Sequence, residues 1–282
     1  MSPTADRYGV FGHPVGHSLS PFIHAMFARE TGQDMSYRPF DVPPEDLDAR
    51  VRAFFAEGGS GLNITLPHKL AAVELAAELT ERAAHAAAVN TLALRDGQVL
   101  GDNTDGIGLV RDLCDNLGVV ITNRRVLVLG AGGATRGVLA PLLGLQPAEL
   151  IIANRTADRA EALAAAFADL GDAHGVGFAD VGDDAFDLVI NATSASLSGE
   201  MPPLPPPAVG PQTVCYDLAY GKDATVFVKW AQGAGCAQAL QGLGMLVEQA
   251  AESFHVWRGV RPDTATVRAA LRERAALLGG RG

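Results

Sequence analysis

Basic side chains are scarce in this 282-residue sequence: 22 lysines and arginines stand against 32 aspartates and glutamates, a formal net charge of -10. Such an acidic balance argues against nonspecific nucleic-acid binding and against docking on an anionic membrane surface. Cysteine is scarcer still. Cys114, Cys215 and Cys236 are far apart and make no C-x-x-C, so they suit neither a disulfide framework nor a zinc site. They are expected to be small buried apolar side chains in a reducing compartment. No apolar run approaches the roughly 20 residues of a membrane span, and Met1 to Arg7 lacks the apolar core of a secretion signal. The 7 histidines show no metal-ligand spacing, so no metal is expected. A cytoplasmic protein with no nucleic-acid or membrane partner is the expectation.

One more absence points to a ligand. The apolar run Val126 to Leu129 breaks into Gly130-Ala131-Gly132-Gly133-Ala134-Thr135-Arg136. A buried parallel strand followed by a glycine turn and a helix start is the arrangement that cradles a dinucleotide pyrophosphate. The fit to G-x-G-x-x-G is incomplete, because its third glycine falls on Thr135. About twenty residues on, a second apolar run, Leu150 to Ala153, ends in Asn154-Arg155-Thr156. An NAD-binding chain carries an acid there for the ribose 2′-hydroxyl. Here that acid is missing and an arginine is present, with Arg159 four residues further on, so the cofactor is expected to carry a 2′-phosphate: NADP.

At this length, two compact α/β domains are expected. In the first, strands are predicted at 8–12, 36–42, 62–65 and 89–94. Helices are predicted from Ser20 (as N-cap, with Pro21 at the first helical position), over 44–56 and over 69–87. Residues 58–61 read as a glycine loop and 95–98 as a hairpin turn. The alternation of strands and helices predicts one α/β domain to about residue 105. Residues 106–117 read as a connecting helix into a nucleotide domain with strands near 126–129, 150–153, 175–178, 188–190 and 214–218. The proline-rich stretch 201–211 reads as a rigid loop. Long helices are expected from about 245 and, capped by Asp263-Thr264, through 278.

Polar clusters fall on the short connections of the first domain, where ligands of α/β sheets bind. They are Gly16-His17-Ser18-Leu19-Ser20, Asn63-Ile64-Thr65-Leu66-Pro67-His68-Lys69, Val89-Asn90-Thr91 and Asp102-Asn103-Thr104-Asp105-Gly106. Singly, each has an ordinary explanation: Ser20 as a helix cap, Lys69 as a solvated helix residue, Asp105 as a turn former.

Taken together with G-A-G-G-A-T-R-G, N-R-T-A-D-R-A, N-A-T-S and G-L-G-M-L-V-E-Q-A-A, and in this order from Tyr8 to about Gly259, these segments resemble the NADP-dependent shikimate dehydrogenase family. The resemblance implies an N-terminal α/β substrate domain, a Rossmann-like doubly wound NADP-binding domain, and C-terminal helices packing back on the first. Residues 1–105 with 243–282 would form the substrate domain and 106–242 the NADP domain. Lys69 and Asp105 would be the catalytic pair. Ser18 and Ser20 would hold the substrate carboxylate, Thr65, Asn90, Tyr220 and Gln249 its hydroxyls and carboxylate, and Asn63 would line the pocket. Gly130, Ala131, Gly132, Gly133 and Ala134 would cradle the pyrophosphate, and Asn154, Arg155, Thr156 and Arg159 would surround the 2′-phosphate. Thr193, Leu218 and Gly242 would lie along the nicotinamide, and Glu81 would approach the cofactor. The activity implied is reduction of 3-dehydroshikimate to shikimate by NADPH in aromatic amino-acid synthesis. The rivals are a quinate/shikimate enzyme and a noncatalytic NADP-binding sensor. Two positions depart from the family pattern: Val226 follows Thr225 where proline is common, and Ser196 stands where glycine is frequent. Both put loop geometry in question more than chemistry.

Overall fold

The computed structural model describes residues 5–279, apart from Pro205 and Lys222. The chain divides into two compact units, one made of 1–108 with 246–270 and the other of 109–245 with 271–282.

The first unit begins with β1 (Asp6–Gly12), α1 (Ser20–Thr31), β2 (Met35–Asp41), α2 (Leu47–Ala56), β3 (Gly59–Ile64) and the two-residue β4 (Glu78–Leu79). It continues through α3 (Glu81–Ala86), β5 (Thr91–Arg95), β6 (Gln98–Asp102) and the start of α4 (Asp105–Val110), which runs on into a π-helical turn at Arg111–Asn116. The sheet order is β2-β1-β3-β5-β6-β4. β1 is parallel to β2 and β3, whereas β5 runs antiparallel to both its neighbours, β3 and β6. α2 buries Leu47, Val51 and Phe54, spaced as one helix face, against Phe11, Leu62 and Ile64 of the sheet.

The second unit takes up the chain with β7 (Arg125–Leu129), α5 (Gly133–Gly144), β8 (Glu149–Asn154), α6 (Ala157–Ala165), β9 (Ala173–Gly177), β10 (Leu188–Asn191), β11 (Val214–Asp217), α7 (Val226–Gly233) and β12 (Gln238–Gln241). All six strands are parallel, in the order β12-β11-β10-β7-β8-β9. This is the doubly wound arrangement. The chain builds β7, β8 and β9 to one side, then returns to pair β10 along the other edge of β7. The carboxyl ends of β7 and β10 are therefore the switch point where such sheets take ligands. The chain closes with α8 (Leu243–Arg258) and α9 (Thr264–Gly279). From residue 246 through 270 these helices belong to the first unit. Asp263 caps α9, accepting from the Ala265 N–H at 3.0 Å.

Four local expectations need correction. Gly59 and Gly61 lie within β3 and not in a loop; a Cβ at either would run into the Phe54 ring or the Trp257 indole, so glycine is what lets these rings pack on the strand. The alanine-rich stretch 69–87 is not one helix. The backbone N–H groups of Ala77 and Thr80 are taken by Val99 and Gly101 of β6 at 2.8 and 2.9 Å, and Thr80 then caps a separate α3. Strand pairing here overrides helix propensity. Ser20 is the first helical residue, and Leu19 occupies the cap position with no side-chain bond. β12 was not foreseen, because Gln238-Ala239-Leu240-Gln241 carries too little apolar sequence to read as a strand.

Candidate active site

Four short connections of the first unit bring their polar residues into one hydrogen-bonded cluster. Pro67 ends the β3 extension, and Lys69 follows with its carbonyl accepting from Val89 N–H at 2.8 Å. That bond ties the lysine segment to the one carrying Asn90. Asp105 opens α4, its N–H bonded to Asn103 Oδ1 at 3.1 Å. Lys69 Nζ donates to Asp105 Oδ2 at 2.6 Å, with the two side chains 17% and 6% exposed. The other carboxylate oxygen, Oδ1, accepts from Asn90 Nδ2 at 2.9 Å.

Asn90 is the hub of the cluster. Its Nδ2 also faces Thr104 Oγ1 at 2.9 Å and Gln249 Oε1 at 3.4 Å, while its Oδ1 accepts from the Thr104 N–H and the Thr91 hydroxyl, both at 2.8 Å. Asn63 is spent on the interior: Oδ1 accepts from Tyr37 OH at 2.8 Å, and Nδ2 donates to Ser253 Oγ at 2.9 Å and to Asn90 O and Thr91 Oγ1 at 3.2 Å. Ser253, fully buried on α8, touches Asn63, Thr91 and Thr104 and bonds back to the Gln249 carbonyl. Sequence reasoning named Asn63, Asn90, Asp105 and Gln249 but missed Tyr37, Thr104 and Ser253 as their supports. Ser253 lies four residues after Gln249, one helical turn on, and that spacing was the available signal.

The remaining residues expected around the substrate lie outside this hydrogen-bonded cluster, Ser20 buried and Ser18 and Thr65 half-buried. Ser18 Oγ accepts from Ser20 N–H at 3.2 Å, so both hydroxyls sit at the uncapped start of α1. Thr65 is half-buried beside Gly12, whose missing Cβ makes room for its methyl. Tyr220 belongs to the second unit, and burial pushes its phenol above the ordinary value. Glu81, expected near the cofactor, is exposed at the first position of α3 in the first unit.

The second unit gathers the other cofactor candidates at its switch point. Gly130 has φ of +100°, a backbone shape that disfavours a side chain. Its N–H bonds Ala153 O at 2.7 Å, and its carbonyl accepts from Thr135 Oγ1 at 2.8 Å. Thr135 thus uses the third motif position to fasten the turn. A Cβ at Gly132 would meet nothing within 4 Å, and α5 starts there without a side-chain cap. The loop therefore offers free N–H groups and open space, which fit a pyrophosphate. Arg155 and Arg159 flank the start of α6, both exposed and neither paired with an acid among the described residues; Asn154 Nδ2 fastens the turn to Thr156 O at 2.9 Å. Thr193 hangs on Asn191 Oδ1 at the end of β10, bonded through both N–H (3.1 Å) and hydroxyl (2.7 Å). Gly242 lies so close to the Leu218 carbonyl that any side chain would clash. Donors, cations and a cradle of this kind fit a phosphorylated dinucleotide. Among the described residues no group of histidines, cysteines and acids could hold a metal.

Known proteins match this chain along most of its length. A model described as the shikimate dehydrogenase substrate binding domain matches residues 10–92. One described as shikimate / quinate 5-dehydrogenase matches 113–198, and the shikimate 5'-dehydrogenase C-terminal domain matches 242–272. The shikimate dehydrogenase (NADP(+)) of Methylococcus capsulatus is 57% identical over 93% of this chain and 94% of its own. An Ael1 enzyme from Pseudomonas putida superposes with a TM-score of 0.88 at 47% identity, over 95% of this chain and 98% of its own. The Thermus thermophilus shikimate 5-dehydrogenase, solved in complex with NADP(H) and shikimate, superposes with a TM-score of 0.84 at 34% identity over 96% and 99%.

Proposed function

The chain belongs to the shikimate dehydrogenase family and is an NADP-dependent oxidoreductase of the shikimate and 3-dehydroshikimate pair, and we propose that Lys69 and Asp105 carry its proton chemistry. The observation that carries this assignment is the 2.6 Å bond between Lys69 Nζ and Asp105 Oδ2 inside a polar cluster. An ammonium has three N–H donors. Asp105 takes one, which leaves two for a substrate oxygen. When bound, NADPH supplies the hydride. As the ketone becomes an alcohol, its oxygen gathers negative charge and needs a proton. Lys69 holds that proton at Nζ beside a fixed carboxylate, which keeps the ammonium aimed until transfer. Asn90 holds the second oxygen of Asp105, so the carboxylate does not turn away.

Around this pair, Ser18 and Ser20 supply hydroxyls for the substrate carboxylate, and Thr65, Asn90, Tyr220 and Gln249 address its remaining polar groups. Asn63 supports Asn90 and Thr91 from behind. Gly130 to Ala134 hold the pyrophosphate, Asn154, Arg155, Thr156 and Arg159 the 2′-phosphate, Thr193, Leu218 and Gly242 the nicotinamide side, with Glu81 approaching the cofactor. The functional division we infer is 1–105 with 243–282 for substrate and 106–242 for cofactor. An intact Lys69–Asp105 pair favours an enzyme over a sensor that kept only the fold. Three free cysteines suit the cytoplasm, where thiols stay reduced, and among the described residues no helix is long and apolar enough to cross a membrane. Sedimentation would separate monomer from homodimer.

The test is an absorbance assay at the nicotinamide band, crossing shikimate and quinate with NADP and NAD. Shikimate with NADP should be fastest. Equal rates with quinate would make this a dual-specificity enzyme, and absence of turnover with every pair would leave the sensor reading.

A further inference from the structure

One buried carboxylate takes no part in the chemistry above. Asp217 ends β11 with no exposure at all and, among the described residues, with no cation against it. Four donors converge on it instead. Oδ1 accepts from Asn191 Nδ2 at 3.0 Å and from the Ala219 N–H at 3.1 Å; Oδ2 accepts from the Ser196 hydroxyl at 2.7 Å and the Thr225 hydroxyl at 2.6 Å. These donors come from separate segments of the second unit: the end of β10, the turn after it, the residue after Leu218, and the N-cap of α7. Asn191 in turn holds Thr193 through its other amide atom. Thr225 also caps α7, accepting from the Val228 N–H at 3.2 Å. Every segment that carries Thr193, Leu218 or Tyr220 is thus tied to this single side chain.

We infer that Asp217 is a positioning residue: it fixes the rim that carries Thr193, Leu218 and Tyr220, and so sets how tightly the enzyme holds the nicotinamide half of its cofactor. The inference rests on the cofactor placement proposed above. It also gives a physical reason for one of the two sequence departures, whereas Val226 has no structural explanation here. Ser196 replaces a common glycine with a hydroxyl that reaches Asp217. Thr225, which here precedes Val226, gives both a bond to Asp217 and the cap of α7. A buried carboxylate without a cation is costly unless hydrogen bonds fill its lone pairs. Four donors fill these, and burial still lifts its pKa above the ordinary carboxylate value despite them.

Asp217→Asn tests the role. An amide keeps one acceptor and turns the other into a donor, so either the Asn191 and Ala219 pair or the two hydroxyls must face an NH2 group. Two ligands are titrated by calorimetry into the full-length variant: NADPH, and adenosine 2′,5′-bisphosphate, which carries the 2′-phosphate and lacks the nicotinamide. NADPH affinity should fall about tenfold, the scale of losing one or two hydrogen bonds to a charged group, while the bisphosphate moves less than about twofold. A merely structural role would move both together, and that result, or no change in either, overturns the inference. Should Asp217→Asn fail to fold, Ser196→Ala keeps the carboxylate and removes one donor. It should show the same split at about threefold, and the same two results overturn the inference there. Thr193→Val and Leu218→Ala separate this from the cofactor placement itself. If both leave NADPH affinity unchanged, the placement fails. If both weaken NADPH while Asp217→Asn does not, only the positioning role fails.

Discussion

Around Lys69, nearly every polar atom is already bonded to another side chain; around Gly132 and Arg155, the polar groups are backbone N–H at an uncapped helix start and exposed guanidinium without an acid partner among the described residues. Asn63, Asn90, Thr91, Thr104, Asp105 and Ser253 are all buried and satisfy one another. By contrast, Gly132 faces open space, α5 begins uncapped, and Arg155 and Arg159 stand exposed. The first region holds geometry in advance, which is what stabilising a transition-state charge requires. The second offers unfilled donors, which is what holding a phosphorylated ligand requires. Damage to the first should therefore appear in kcat or in substrate KM, and damage to the second in cofactor affinity.

Lys69→Ala is the sharpest test of that division. It should lower kcat by about a hundred- to a thousandfold, equivalent to ~3–4 kcal/mol, while shikimate KM changes little. Steady-state kinetics on variant confirmed folded by circular dichroism decides it. Retention of more than about half of the wild-type kcat would remove Lys69 as the proton carrier.

Arg155→Ala probes the open region. Removing one charge-assisted contact should weaken NADPH by about 2 kcal/mol, or roughly thirtyfold, with NADH barely affected because it has no 2′-phosphate. Equal losses for the two cofactors would mean that Arg155 serves the shared adenosine or the fold, and the contrast between the regions would lose its second half.

The same contrast decides what could be read from sequence. Gly130, Gly132 and Arg155 announce themselves because backbone cradles need glycine and phosphates need arginine, whatever surrounds them. The strand positions of the second unit follow from its apolar runs, except at β12, where Gln238 and Gln241 leave only Ala239 and Leu240 to signal a strand. Lys69, Asp105 and Asn90 stood out only as members of a family pattern, since each alone passes for a cap or a turn former. Their supports were invisible. Ser253 and Tyr37 look like ordinary helix and strand residues until the fold brings them to Asn63 across 190 and 26 positions of sequence. The break at 76–80 was missed for the same reason, because its cause is β6 and not the local alanines.

His24 is the exception inside the satisfied region. It is fully buried, stacked on the Tyr37 ring at 4.2 Å, and neither ring nitrogen makes a well-formed hydrogen bond among the described residues. Burial lowers its pKa to about 3, against a smaller upward pull from Asn63. Because the folded value lies below the unfolded 6.5, the unfolded state binds the proton first. The stabilising effect of a neutral His24 is complete above about pH 6.5 and is lost progressively toward pH 3, at up to ~1.4 kcal/mol per pH unit. Asp217, whose pKa is raised, has the opposite sign: mild acid relieves its burial. Acid should thus weaken the first unit more. Urea midpoints between pH 7.5 and 5 should fall for wild type and flatten in His24→Phe, and parallel curves would show that other groups govern the acid response.

The smallest expected effect concerns Ser253. If the first region works by mutual satisfaction, deleting one interior hydroxyl should disturb its neighbours even though Ser253 touches no ligand. Ser253→Ala leaves Asn63 Nδ2 with one partner fewer and releases Thr91 and Thr104 from their shared contact. An unmade buried hydrogen bond costs about 1 kcal/mol, so shikimate KM should rise roughly fivefold, with NADPH KM unchanged because the cofactor groups assigned to the second unit are untouched. Ser253→Thr, which restores the hydroxyl, should recover most of that loss if the extra methyl is tolerated. A Ser253→Ala enzyme with wild-type KM for both ligands would show that Asn63 and Asn90 hold their places through packing alone, and the contrast would then rest on burial and not on the hydrogen bonds.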